Sequence, residues 1–247
     1  MTLPCDERSS PNFNERPEGR AVDILLLHYT GMASAQAALD RLCDPAAKVS
    51  AHYFVNEAGR ITRMVPEHRR AWHAGVGCWA GENDINGCSI GIEIANGGHD
   101  FGSPPYPDVQ MAAVEALCLD ILSRHPIPPA RVLGHSDIAP GRKADPGEWF
   151  DWARLAQAGV GLWVAPEPVV EGPSLSFGDR GDTVAELQYM LAGYGYGLEV
   201  LGHYDATTQD VVTAFQRHFR PEKVDGVADL STVATLRRLV DAAKAIA

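Results

Sequence analysis

The segment VDILLLH, residues 22–28, decides the fold of this chain. Its four consecutive apolar residues, Ile24 to Leu27, would be buried on both faces of a sheet, as in an interior strand of an α/β domain. His28 comes directly after this apolar run. The pattern therefore predicts a buried strand that carries a histidine at its carboxyl end.

The segments that follow predict the neighbours of this strand. Ser34 is suited to cap a helix that runs through Leu42, because its hydroxyl can accept a hydrogen bond from the first turn. The turn 56–59 ends in glycine and predicts a hairpin between residues 53–55 and 60–65. These elements give a sheet with at least one helix packed beside it.

A second buried strand is predicted from the segment SIGIEI, residues 89–94. Its isoleucines alternate with small or charged residues, and this period of two places Glu93 on the face opposite the isoleucines. A helix is predicted over residues 108–125, with Val109, Ala113, Leu117 and Ile121 on its buried face, and it ends before Pro126. We therefore expect a mixed central β-sheet flanked by helices on both faces.

The segment 132–135 predicts a short strand that ends in a second histidine, His135. The loop 136–147 holds two prolines and two glycines, so its backbone is expected to be irregular. Loops on a rigid scaffold are the usual place for site residues. We expect the chemistry of the chain in this loop.

The second half of the chain has a different pattern. Residues 164–177 are rich in proline and predict an extended linker, which follows a catalytic domain of residues 1–163. In residues 178–247, apolar side chains recur at helical spacing in three places, which predicts a small C-terminal three-helix domain.

Composition excludes several classes of function. Asp and Glu outnumber Lys and Arg by 32 to 21, for a net charge of −11, so a nucleic-acid partner is not expected. No apolar run approaches the roughly 20 residues that a membrane span needs. The first 20 residues are polar and interrupted by proline, so we expect no secretory signal and a cytoplasmic protein, with a periplasmic or wall-associated location as the alternative.

His28, His135 and Asp145 are the candidate metal ligands. Two imidazoles and one carboxylate leave one tetrahedral position open for water, which is typical of a catalytic zinc site. Their spacing alone is weak evidence, because they lack the compact arrangement of two histidines on one helix. A lone histidine is more often a surface or core residue than a ligand.

Five segments occur in the order typical of one enzyme family. They are LLLHYTG (25–31), SAHYFVNEAGRI (50–61), RAWHAG (70–75), SIGIEIAN (89–96) and GHSDIAPGRKADPG (134–147). Over about residues 20–160 the chain resembles the zinc-dependent N-acetylmuramoyl-L-alanine amidases of the AmpD and AmiD type, which are related to phage T7 lysozyme and the peptidoglycan recognition proteins. The region from about residue 174 to 239 resembles a peptidoglycan-binding module.

The resemblance implies a role for each matching residue. The zinc ligands of the family fall on His28, His135 and Asp145, its catalytic glutamate on Glu93 and its lysine on Lys143. The implied reaction is hydrolysis of the amide between the muramoyl lactyl group and L-alanine, with Glu93 transferring protons and Lys143 stabilising the oxyanion. The substrates implied are peptidoglycan fragments, including anhydro-muropeptides, in cell-wall recycling or remodelling.

Three further residues are candidates for substrate contact. His52, Trp72 and His73 carry polar aromatic groups that can stack on or hydrogen-bond to a sugar or peptide. The alternative for each is a buried structural role. The other histidines are expected to be surface or core residues, namely His68, His99, His125, His203 and His218.

Two other functions remain open at this point. One is a non-catalytic peptidoglycan-recognition protein, against which the complete set of matching residues argues. The other is a zinc hydrolase of a different amide, because a fold and a metal site do not fix a substrate.

Overall fold

The computed structural model describes residues 3–246; Met1, Thr2 and Ala247, the outer ends of the two predicted domains, lie outside the described residues. Its main sheet has six strands in the order β1-β5-β4-β7-β3-β8, and a second sheet pairs β2 with β6. The strands are β1 (Asp6–Glu7), β2 (Phe13–Glu15), β3 (Ile24–Tyr29), β4 (Tyr53–Val55), β5 (Ile61–Arg63), β6 (Arg69–Ala71), β7 (Ser89–Ile94) and β8 (Val132–Gly134).

The helices are α1 (Ala35–Leu42), α2 (Ile85–Cys88), α3 (Asp108–Leu122), α4 (His135–Ile138), α5 (Trp152–Gln157), α6 (Asp182–Tyr194), α7 (Ala206–Phe219) and α8 (Leu230–Ile246). Within residues 3–246, none of these helices has both the length and the apolar character that a membrane crossing requires. The predicted class, a mixed sheet flanked by helices with a helical C-terminal region, is confirmed.

Strand β3 lies between β7 and β8 and is parallel to both. The residues Ile24 to Leu27 are fully buried, as the unbroken apolar run predicts. In the register with β7, His28 lies beside Glu93. Because paired residues of neighbouring strands point to the same face, the two polar side chains share the face opposite Ile92.

Helices cover both faces of the sheet. Helix α3 packs on the isoleucine face of β7. On the other face, α1 packs against β4 through Leu42 and Phe54, and the Ser34 hydroxyl accepts the predicted capping hydrogen bond from the Ala37 amide at 3.2 Å. The hairpin β4–β5 is also as predicted, with Gly59 at φ +75° in its turn.

The predicted buried face of α3 is wrong in part. Val109 is 55% exposed, whereas Met111, Val114 and Cys118 are buried beside the predicted Leu117 and Ile121. The sequence DVQMAAVEALCLDIL is apolar around most of its circumference, so spacing alone does not select one face. The helix also ends three residues earlier than predicted, at Leu122.

The segment after β8 is more regular than expected. Strand β8 ends at Gly134, and His135 begins the single helical turn α4 instead of ending the strand. The Asp137 carboxylate accepts a hydrogen bond from the Gly134 amide at 2.7 Å, which satisfies one of the free N–H groups at the start of this turn. The rest of the loop is irregular, as predicted.

The three predicted C-terminal helices are confirmed as α6, α7 and α8. Their apolar side chains belong to one buried cluster with Ile24, Leu26 and Trp79 of the N-terminal region. The linker packs on α8, where Ser231 donates a hydrogen bond to the Glu167 carbonyl at 2.5 Å. The boundaries at residues 163 and 178 stay predictions.

Candidate metal centre

Three side chains from different elements meet at the carboxyl end of β3. His28 is the penultimate residue of the strand, His135 begins α4, and Asp145 comes from the loop that follows. The two Nδ1 atoms are 2.9 Å apart, and the Asp145 Oδ2 atom is 3.1 Å from His28 Nδ1 and 3.0 Å from His135 Nδ1. Ligands around a tetrahedral zinc lie roughly 3.3 Å apart, so the three atoms are close to the spacing of a metal-binding triangle.

The hydrogen bond of the far nitrogen of His135 tests whether this residue can bind a metal. His135 Nε2 lies 2.8 Å from the Ala74 carbonyl oxygen, which can only accept. Nε2 therefore carries the proton, and Nδ1 of the neutral ring presents a lone pair to the triangle. Metal-binding histidines usually have their other nitrogen fixed in this way.

His28 also carries its proton on Nε2 and a lone pair on Nδ1. A longer chain of hydrogen bonds, through Ser89 and His73, fixes this state. The Ser89 hydroxyl donates its single proton to the Ile85 carbonyl at 2.6 Å, so it can only accept from His73 Nε2, at 3.3 Å. His73 Nδ1 is then an acceptor for His28 Nε2, at 3.0 Å. His28 Nδ1 is left with a lone pair that faces the lone pair of His135. Two facing lone pairs repel unless a cation lies between them, and this donor set fits a metal ion.

The charge state of His28 agrees with this assignment. Burial, together with the neighbouring His135, lowers the pKa of His28 to about 4, so its ring is neutral near pH 7. Neutral imidazole and ionised carboxylate are the forms that bind metals. The three residues therefore have the donor atoms and the spacing to hold a metal ion.

Glu93 lies beside this triangle, in register with His28 on the neighbouring strand. Burial raises its pKa to about 8, with the charge of Asp145 adding to the shift and Lys143 opposing it. Among residues 3–246, no hydrogen bond to the Glu93 carboxylate is found, so this group is free to act on a ligand. Lys143 lines the same cleft. The structure brings both predicted catalytic residues to the metal site.

A cleft of about 480 Å³ is lined by Glu93, Lys143 and two of the three candidate metal donors, His135 and Asp145. Trp72 is half-buried in its wall, and its indole N–H donates to Asn14 at 2.7 Å. His73 also lies in the wall, but both of its nitrogens are engaged by His28 and Ser89. His73 therefore orients His28. A direct hydrogen bond from His73 to a substrate would require it to break its hydrogen bond with His28 or with Ser89.

The predicted substrate contact of His52 does not fit the structure. His52 is fully buried and is not part of the cleft wall. Its Nδ1 accepts from the Gly91 amide at 3.0 Å, and its Nε2 lies 3.1 Å from the Arg69 carbonyl. Both nitrogens are satisfied inside the protein, which is the structural alternative that the sequence left open.

The cleft also contains His99, which was expected to be a surface or core residue, and Tyr29, for which the sequence predicted no role. His99 donates from Nε2 to Glu148 at 3.1 Å and accepts at Nδ1 from the Tyr29 hydroxyl at 3.0 Å. His99, Tyr29 and Arg41 all line the cleft. The segment around His99 carries no periodic pattern or charge partner that would have shown this position in advance.

The His73 chain predicts an effect on metal binding. His73→Leu removes the acceptor for His28 Nε2 and should weaken Co²⁺ binding by about 10–100-fold, as loss of an outer-shell partner typically does. His73→Gln keeps an acceptor and a donor and should lose less. Competition with a chelator measures both affinities, and the visible spectrum of bound Co²⁺ reports the geometry. His52→Leu, which removes an equally buried ring away from His28, is the control; equal losses in both variants would refute the assignment.

Comparison with known protein families agrees with the site. A model of the N-acetylmuramoyl-L-alanine amidase family matches residues 18–148, and a model of a putative peptidoglycan binding domain matches residues 180–236. The amidase AmiD of Escherichia coli is 36% identical over 240 residues, which cover 89% of this chain and 83% of AmiD. The 1,6-anhydro-N-acetylmuramyl-L-alanine amidase AmpD of Haemophilus influenzae is 34% identical over 61% of this chain and 89% of its own length.

Solved structures extend this similarity to the fold of the whole chain. Escherichia coli AmiD, in complex with the substrate anhydro-N-acetylmuramic acid-L-Ala-D-γ-Glu-L-Lys, superposes with a TM-score of 0.76 at 33% identity and covers 93% of this chain and 97% of AmiD. AmpDh3 of Pseudomonas aeruginosa, in complex with anhydromuramic pentapeptide, superposes with a TM-score of 0.74 at 33% identity, over 97% of this chain and 96% of AmpDh3. Both superpositions include the C-terminal helices.

Proposed function

The chain belongs to the N-acetylmuramoyl-L-alanine amidase family, and from this premise we propose that zinc is the metal held by His28, His135 and Asp145 in its hydrolysis of the bond between the muramoyl lactyl group and L-alanine. The observation that carries the proposal is the convergence of these three buried donors beside Glu93. Two imidazoles and one carboxylate are a ligand set of hydrolytic zinc enzymes, which keep one position open.

A zinc ion bound there supplies a Lewis acid, which polarises an amide carbonyl and lowers the pKa of a water molecule. The protein supplies the rest. Glu93 accepts the proton of the attacking water and then donates it to the departing L-alanine nitrogen, which leaves poorly unless it is protonated. Burial raises the pKa of this carboxyl towards neutrality, as expected for a group that both accepts and returns a proton. Lys143 offers a positive charge to the oxyanion of the tetrahedral intermediate.

The substrate class that we propose is muropeptides, including those with an anhydromuramoyl end. AmiD and AmpDh3 have been solved with anhydromuramoyl peptides bound. In this chain, the cleft has space for a sugar and the first residues of a peptide, and Arg41, Arg142 and Lys143 line it. These cations complement the carboxylates of a stem peptide. A role in cell-wall recycling or remodelling follows.

Catalysis is supported over recognition alone. A non-catalytic recognition protein has no need of a carboxyl with a raised pKa beside three converging metal donors. The same site, however, would act on any amide that the cleft admits. The choice of the lactyl amide rests on the relatives and on the fit of the cleft.

A cytoplasmic location stays a proposal. The five cysteines form no disulfide in the described part of the chain, which agrees with a reducing compartment. Fractionation of the host cell tests it, since recovery of the protein from the periplasm or the wall would contradict it.

One assay tests the proposed function. Incubation with a purified anhydro-muropeptide should release the free stem peptide, identified by its mass, and a strong chelator should abolish the release until zinc is added back. Metal analysis should give one zinc per chain. Cleavage at another bond would overturn the substrate assignment, and full activity after complete metal removal would overturn the zinc assignment.

A further inference from the structure

A buried carboxylate links the metal loop to the C-terminal helices. Asp137 is fully buried and lies in α4, two residues after His135. Its Oδ2 accepts from the Gly134 amide and from His218 Nδ1, each at 2.7 Å, and its Oδ1 accepts from the Tyr196 hydroxyl at 2.8 Å. Two of these three donors belong to the C-terminal region, 59 and 81 residues away along the chain.

The two donors are themselves held in place by packing. The His218 ring stacks between Trp152 and Phe219, with centroid distances of 3.7 and 3.8 Å. Tyr196 packs edge-on against Trp79 at 5.0 Å, and the Gly195 carbonyl accepts from the Ala80 amide at 2.7 Å. Rings that are buried in this way have few other positions, so the two hydrogen bonds on Asp137 are fixed in direction.

The position of Asp137 in turn fixes His135. Helix α4 is a single turn, and its first residue supplies the metal donor. The Gly134 amide is bound to Asp137 on one side, and the Ser136 amide donates to the Asp145 carbonyl at 2.9 Å on the other. A rotation of this turn would move His135 Nδ1 and the Asp145 backbone together, and displacements of about 1 Å are costly at a catalytic site.

We propose that Tyr196 and His218 of the C-terminal helical region are positioning residues of the metal site, acting through the Asp137 carboxylate. The helical region is then a structural part of the catalytic centre, in addition to any binding of peptidoglycan. This proposal rests on the proposed function only for the kcat measurement. The zinc affinity of the chain can be measured without any substrate.

The test compares two buried tyrosines of the same region in the full chain. Tyr196→Phe removes the hydroxyl that binds Asp137. Tyr204→Phe removes a hydroxyl that donates to the Gly226 carbonyl at 2.9 Å instead of to Asp137, and is the matched control. We expect Tyr196→Phe to weaken zinc binding about tenfold and to lower kcat for a soluble anhydro-muropeptide with little change in KM. Tyr204→Phe should lower the free energy of unfolding by a similar amount, but it should change neither the zinc affinity nor kcat.

A double-mutant cycle then shows whether Tyr196 acts through Asp137. In an Asp137→Ala background, which removes the acceptor, Tyr196→Phe should cause no further loss of zinc affinity. His218→Gln provides the same comparison if either tyrosine variant fails to fold. Zinc affinity and kcat in Tyr196→Phe equal to those in Tyr204→Phe would overturn the proposal. If the unmodified protein cleaves no muropeptide, the proposed function fails, while the zinc affinities still decide this inference.

Discussion

Replacing Glu93 with glutamine is expected to lower kcat for muropeptide hydrolysis by about 10²–10⁴-fold while zinc stays bound, since general acid–base assistance is typically worth that much. The glutamine keeps the shape of the side chain but cannot carry a proton between the water and the leaving nitrogen. The proposed metal donors are His28, His135 and Asp145, so this substitution leaves the proposed ligand set unchanged. Turnover and zinc content of the same preparation measure both parts of the expectation.

The same variant has a predicted effect on stability in the presence of a chelator. Burial raises the pKa of Glu93 from 4.5 to about 8, so between these values the folded state holds a proton that the unfolded state has released. The free energy of unfolding of the metal-free protein should therefore fall as the pH rises from 4.5 to about 8. In Glu93→Gln, the contribution of this carboxyl to the pH dependence should be absent. Loss of zinc from the variant would make Glu93 a ligand, and near-normal turnover would assign the proton transfer to another group.

The reason that Glu93 was predictable lies in the local pattern of β7. A period of two over SIGIEI fixes which side chains share a face, and a parallel neighbour then brings Glu93 beside His28. The strand β3 was predictable for a similar reason, since its apolar run has one environment that suits it. Both are properties of short segments. The resemblance to the amidase family supplied the roles of His28 and Glu93, and the parallel pairing of their strands is seen only in the structure.

The outer contacts of the site were not predictable in this way. The role of His73 depends on the acceptor of the Ser89 hydroxyl proton, which is the Ile85 carbonyl. The buried position of His52 depends on its hydrogen bonds with Gly91 and Arg69, which belong to strands β7 and β6. Such hydrogen bonds join residues that are distant in sequence and leave no periodic signal. A histidine in a sequence therefore shows that chemistry is available, and its hydrogen-bond partners decide whether it binds metal, ligand or protein.

The contact between the helical region and the metal loop was hidden for a related reason. A proline-rich linker predicts separate cores, because such segments usually hold domains apart. Here Trp79 inserts between the two parts and packs on Tyr194 at 5.6 Å. Trp79 lies in a glycine-rich loop, GVGCWAG (75–81), that has no helical or strand period, and a single large apolar residue is common on any surface. Its partner was identifiable only from the folded chain.

His135→Ala is expected to have the largest effect on metal binding, with a loss of zinc affinity beyond the roughly 10–100-fold typical of outer-shell changes, because it removes a donor atom itself. Without that donor, His28 and Asp145 are left as a two-residue site, and hydrolysis should fall below detection at zinc concentrations that saturate the unmodified protein. His99→Ala is the control, since His99 lines the same cleft and supplies no atom to the triangle. Zinc content after dialysis distinguishes the two variants. Full zinc occupancy in His135→Ala would remove this residue from the ligand set and require a different third donor, whereas zinc loss in His99→Ala would extend the site to the Tyr29 side of the cleft.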